Sequence, residues 1–184
     1  MGRGAGGGGR YGGGKIDKQS AENIVSGLSD RFGTSKVGVN TTDDWNIAAN
    51  ARDKDILINP DALNSDTFYD PRYSDGVSRN AKEVLIHEYD HVIRRDLLLD
   101  PKYLSQDMSK PSNYYAVGRT PEGSLGLRLW GISQREGYKI SKYASKTDDE
   151  YFSEAFVLYN RGSRYWSRIN PEVLQVFKNL DRKK

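Results

Sequence analysis

The sequence predicts an α+β domain, and three observations carry that expectation. Apolar residues recur at three- and four-residue steps from Ile16 to Phe32, then fall into three short strand-like segments between Lys36 and Ile58. From residue 78 onward mostly helical patterns return. The first of these carries His87-Glu88-Tyr89-Asp90-His91, which contains both of the protein's 2 histidines. The sheet is expected to be small and mostly antiparallel.

Each element has a local reason. Ala21, Ile24, Val25, Leu28 and Phe32 form one face of a helix that Gly33 stops. Lys36–Asn40 and Trp45–Ala51 alternate as strands, joined by the polar run Thr41 to Asp44. Arg52 to Asp55 makes the next turn, and Ile56-Leu57-Ile58 is a short apolar strand ended by Asn59-Pro60-Asp61. Residues 64–78 read as a loop packed through Phe68, Tyr69 and Tyr73. Ser78 is the expected N-cap of the helix bearing Ala81, Val84, Leu85, Val92 and Ile93, with Arg94 and Arg95 at its negative end. Residues 96–132 read as a loop-rich excursion with short helices. A second amphipathic helix runs through Glu150, Phe152, Glu154, Phe156 and Leu158. A last one starts at Asn170-Pro171 with Val173, Leu174, Phe177 and Leu180 as its stripe.

Composition narrows the function classes. At 184 residues one domain suffices, here 15–184, preceded by a flexible tail or linker at 1–14 that holds nine of the 19 glycines. With 12 tyrosines and 3 tryptophans the core should be tyrosine-rich, and Trp166 is expected within it. The net charge is only +3, and Arg3, Arg10, Arg182, Lys183 and Lys184 lie in the tails, so nucleic acid is an unlikely partner of the folded part. An RGG-like role for the tail is the minor reading. No run is long enough to span a bilayer and no secretory signal precedes the domain. The expected location is therefore the cytoplasm.

There is no cysteine, so any metal must be held by His, Asp or Glu. On a helix, His87 and His91 stand one turn apart on one face and can share a zinc ion, with Glu88 beside it as general base. With only 2 histidines in the chain, this pattern would arise by chance in roughly one shuffled sequence in a thousand. The third ligand must be a carboxylate. Among Asp96, Asp100, Asp107, Glu122, Glu136, Asp148, Asp149, Glu150 and Glu154, the pair Glu150 and Glu154 stands out because i and i+4 on a helix face one way. One could bind metal while the other orients a histidine through its free ring nitrogen. Glu136 is the fallback.

The stretch Lys142 to Phe156, KYASKTDDEYFSEAF, together with the HExxH motif, resembles the SYxxxxxxEFFAEAF segment of the anthrax lethal factor type of zinc metallopeptidase, a gluzincin. Related domains occur in bacterial toxins and phage-encoded proteins. The resemblance covers residues 84–92 and 141–160 and implies a zincin-like fold with two ligand-bearing helices. It implies Glu150 as third zinc ligand, Glu154 as support behind the site, and Tyr143 as a catalytic assistant. The chain departs from the pattern at Ser153, where alanine is usual, at Tyr151, where phenylalanine is usual, and at Asp90, where glycine is frequent.

The activity so implied is endopeptidase hydrolysis of a protein or peptide substrate. Glu88 takes a proton from the zinc-activated water and returns it to the leaving amine, while Tyr143 assists at the developing oxyanion. Substrate is expected as an added strand along a sheet edge, with Leu57, Ile58 and Asn59 in contact. The alternative is a zinc-stabilised structural module, associated with a virion or toxin, that has no turnover.

Overall fold

The computed structural model describes residues 15–52, 54–65, 75–98 and 121–181. They form, in order, α1 (Lys18–Phe32), β1 (Gly38–Thr41), β2 (Ala49–Arg52), β3 (Asp55–Ile58), the single turn α2 (Pro60–Leu63), α3 (Ala81–Leu98), α4 (Pro121–Ile140), α5 (Asp148–Arg161), a 3₁₀ helix (Ser163–Arg168) and α6 (Pro171–Leu180). The class is α+β, as expected. The glycine-rich tail, Phe68, Tyr69, Tyr73 and residues 99–120 of the expected excursion lie outside the described residues. No helix among the described residues is long and apolar enough to cross a membrane.

The first helix begins where Asp17 accepts the Ser20 N–H at 2.7 Å, and it ends at Gly33, whose φ of 66° places it in the left-handed region glycine favours. Ala21, Val25, Leu28 and Phe32 are buried along one stripe. At the far end of the chain, Asn170 caps α6 by accepting the Glu172 N–H at 2.9 Å, with Pro171 in the first turn. Both match the expectations from sequence.

The three-stranded sheet has the order β1-β3-β2, with β1 parallel and β2 antiparallel to β3. It is mixed, not mostly antiparallel. The reason is the 42–48 connection, which crosses the end of β3: Thr42 N–H donates to Ile58 O at 2.8 Å, and Asn59 N–H donates to Ala48 O at 3.0 Å. The hairpin from β2 then returns β3 into the middle of the sheet. The second strand is also shorter than expected, because Trp45 and Asn46 are in a turn. Asp44 Oδ1 accepts from Asn46 N and Nδ2, both at 2.9 Å, a side-chain-closed turn that replaces extended backbone.

Two further expectations are corrected. Ser78 does not cap α3; Asn80 does, its Oδ1 accepting the Glu83 N–H at 3.0 Å, while Ser78 Oγ is buried without a partner among the described residues. Residues 121–132 are not irregular but belong to the 20-residue α4. Its buried stripe near the C-terminus is Ser133, Gly137 and Ile140, spaced by four and three residues. Gly137 is required there: a Cβ would lie 2.7 Å from Ser145 Cα and 2.8 Å from Ala144 O. The helix thus presses against the 141–147 segment.

The core is aromatic. Phe32 meets Phe156 at 4.9 Å between ring centroids, Phe177 meets Phe152 at 4.7 Å, and Trp166 stacks on Tyr159 at 5.2 Å. Tyr89 and Tyr151 are fully buried, and each ring so placed contributes about 1.5–3 kcal/mol. Arg31 joins α1 to α5 and α6, its Nε bonding Asp181 at 3.0 Å and its Nη1 bonding Asn160 at 2.9 Å.

Candidate metal centre

The site lies on the seam where α3 and α5 run antiparallel. A guanidinium clamp closes each end. At one end Arg161 Nε donates to Glu83 Oε1 at 2.6 Å and its Nη2 bonds Val77 O. At the other, the buried Arg94 bonds Asp148 Oδ2 at 2.5 Å and also Asp149. Residues 83, 87, 91 and 94 of α3 fall on one stripe at helical spacing, so the clamps and the two histidines necessarily face the same neighbour. On α5, Thr147 Oγ1 accepts the Glu150 N–H at 3.1 Å and fixes the first turn, placing the Glu150 carboxylate at the positive end of the helix.

Between the clamps three donor atoms converge. His87 Nε2 lies 3.2 Å from His91 Nε2 and 3.0 Å from Glu150 Oε2, and His91 Nε2 lies 3.7 Å from that same oxygen. Four tetrahedral ligands at the 2.0–2.2 Å typical of nitrogen and oxygen donors sit about 3.3 Å apart. The observed spacings bracket that figure. His87, His91 and Glu150 can hold a metal ion, and among the described residues they are the grouping that can.

The surroundings orient this triad. Glu154, 1% exposed, places Oε1 3.2 Å from His87 Nδ1, which leaves Nε2 free for the shared point. Its other oxygen accepts from Ser141 Oγ at 2.9 Å and from the Val77 N–H. Gly76 lets that backbone come so close, since a Cβ there would be 3.1 Å from both Glu154 oxygens. Tyr143 OH donates to Glu150 Oε1 at 3.2 Å, and its own backbone N–H is tied to Asp75 O at 3.0 Å. Lys146 covers the Tyr143 ring, its Nζ 4.3 Å from the centroid.

Charge follows from these contacts. Burial alone would lower the His87 pKa, but the Glu150 and Glu154 carboxylates outweigh it and hold the imidazole at about 10. Burial would raise Glu150; the hydrogen bonds from both histidines overcome it and hold the carboxyl well below its usual range. Burial raises Glu88, against the pull of His87 and His91, and burial with the Glu150 charge raises Tyr143.

The residues singled out from sequence divide clearly. His87, His91, Glu150, Glu154 and Tyr143 come together. Glu88 borders the same cleft of about 550 Å³ and accepts the Ala51 N–H at 2.8 Å. Glu136 does not join them; it accepts from Asn170 Nδ2 at 3.1 Å. Leu57, Ile58 and Asn59 cannot form a docking edge, because β3 is paired on both sides. Ile58 is fully buried, and Asn59 Oδ1 caps α2 by accepting from Asp61 N and Ala62 N, each at 3.1 Å. The outer strands are β1, which lies against α1, and β2, which lies against α3.

Asp90 is completely buried and stays out of the ligand set, with Oδ2 accepting from Ser153 Oγ at 3.1 Å. The two polar departures from the lethal factor pattern therefore meet each other across the helix seam. Burial pushes the Asp90 carboxyl up to about 7, opposed by the His91 and Arg94 charges. Sequence reasoning missed Trp45, which lines the cleft. Its only signal is an aromatic residue directly after the polar run Thr41 to Asp44, where alternation predicts the start of a strand.

No protein-family model, no curated protein and no solved structure matches this chain.

Proposed function

We propose that the chain is a zinc-dependent endopeptidase with a zincin-like arrangement of the gluzincin kind. One observation carries the reading: two helix-borne imidazoles and a carboxylate from a second helix converge at 3.0–3.7 Å, Glu154 bonds the other ring nitrogen of His87, and His87, Glu88 and Tyr143 border one cleft. Two nitrogens and one oxygen suit zinc, and three protein donors leave a fourth position for chemistry. A bound zinc supplies Lewis acidity that makes water acidic near neutral pH and polarises a carbonyl.

The chain's own groups do the rest. Glu88 accepts the proton of the attacking water at its carboxylate and delivers it to the leaving amine. Tyr143 OH, released from Glu150, donates to the developing oxyanion. Glu154 keeps His87 in the tautomer and orientation that present Nε2. The peptide lies as an added strand on the outer edge of β2, where it takes over the Ala51 N–H that otherwise donates to Glu88 Oε2 at 2.8 Å and so frees that carboxylate.

Glu88→Gln tests the reading. The variant should retain one zinc per chain while cleavage of a denatured protein substrate is lost. If zinc-loaded wild type cleaves nothing and chelation lowers its melting temperature, the metal is structural and the peptidase reading fails.

A further inference from the structure

Among the described residues the large hydrophobic side chains left exposed are Trp45, at 68%, and Tyr138, at 70%. They differ in setting. Tyr138 stands on the surface of α4, whereas Trp45 lines the cleft shared by His87, Glu88 and Tyr143. The apolar lining of that cleft is completed by Ala48, Ala49, Ala62 and Val84. These residues make an apolar stretch of a wall that elsewhere carries Ser65, Asp75, Ser78 and Lys146, and the cleft of about 550 Å³ is large enough for one bulky side chain.

The turn that carries the indole is also held in place. Asp44 O accepts from Ile47 N at 3.1 Å and from Asn59 Nδ2 at 3.0 Å, and Asn59 is itself 2% exposed. With the Asp44 to Asn46 contacts, this fixes the backbone on both sides of Trp45. A rigid, solvent-facing aromatic beside a reactive cleft binds an apolar group with little ordering cost. An isolated exposed aromatic on an open face would carry no such implication.

We infer that Trp45, with Ala48, Ala49, Ala62 and Val84, forms a specificity subsite that takes a large apolar side chain, aromatic or leucine-like, of the peptide substrate. The inference rests on the peptidase reading above and names its substrate class. It also gives Asn59 a role at one remove, as the buried post of the Trp45 turn.

The test has two arms, so the inference and the peptidase reading can fail separately. In the first, zinc-loaded wild type, Trp45→Phe and Trp45→Ala are profiled on quenched-fluorescent peptide mixtures randomised at each position. Wild type should favour Phe, Leu or Tyr over Ser at one position by on the order of tenfold in kcat/KM. Trp45→Ala should lose that preference and Trp45→Phe should keep most of it. An unchanged profile in a folded Trp45→Ala protein overturns the subsite and leaves the peptidase standing. In the second arm, the Trp45 indole N–H resonance is identified by its loss in Trp45→Phe. It is then followed in the Glu88→Gln protein as a Phe-containing or a Ser-containing peptide is added. A saturable shift with the Phe peptide alone supports the subsite even if wild type cleaves nothing; no shift with either overturns it.

Discussion

Along the α3–α5 seam, Glu83, His87, His91 and Arg94 each find a partner on the facing helix, whereas the wall made by β2 and residues 42–48 presents an exposed indole and small apolar side chains to the cleft. The first region is an ionic frame centred on the buried Glu83, His87 and Arg94. The second is a rim whose alanines pack on the core while Trp45 stands exposed. The difference teaches how the cleft divides its work: the seam orients the donor atoms, and the rim is left available for a ligand.

The largest effect should come from the seam. Glu150→Ala removes a donor atom, and zinc affinity measured by competition with a chelating dye should fall further than in Glu154→Ala, where about 10- to 100-fold is expected. The reverse order would mean that Glu154 is the ligand. Arg161→Met strips the buried Glu83 carboxylate and Val77 O of their partner, and urea unfolding should show a loss of about 3 kcal/mol.

A pH series gives an intermediate effect. Zinc must displace the proton that the two carboxylates hold on His87 and, at lower pH, the one on His91, so apparent affinity should rise with pH by at least about tenfold per unit until the His87 imidazole deprotonates near 10. Titration in buffers of different ionisation enthalpy would report that proton. In the metal-free protein the signs are these. His87, raised above 6.5, contributes stability in full below that pH and loses it as pH rises towards 10. Glu150, lowered from 4.5, contributes above that value and loses its contribution as pH falls through its lower folded value. The smallest effect belongs to the rim: Trp45→Ala should change stability by less than about 0.5 kcal/mol.

The same contrast governs what could be read from sequence. Elements α1, α3, α5 and α6 announce themselves because large apolar residues recur on one face and capping residues mark most of their ends, as with Asp17, Thr147 and Asn170. Motif spacing likewise exposes His87, Glu88, His91, Glu150 and Glu154, since a helix converts intervals of four into shared faces, whereas Tyr143 stands out only through the family resemblance. The C-terminal half of α4 was hidden because its buried stripe runs through Ser133 and Gly137, which carry almost no hydrophobic signal. The parallel pairing of β1 with β3 was hidden because alternation reports burial and not strand direction. Trp45 was hidden because an exposed aromatic gains its meaning from neighbours that are distant in sequence, Val84 and His87 among them.

X-ray absorption at the zinc edge of the loaded protein tests the central claim most directly, because it reads the donor set without requiring a substrate. The account predicts one zinc per chain with two imidazole nitrogens at about 2.0–2.1 Å, oxygen donors at about 2.0–2.2 Å and four-fold coordination, and the imidazole signal reduced in His91→Ala. A six-oxygen shell, or a spectrum unchanged by removing His91, would contradict it.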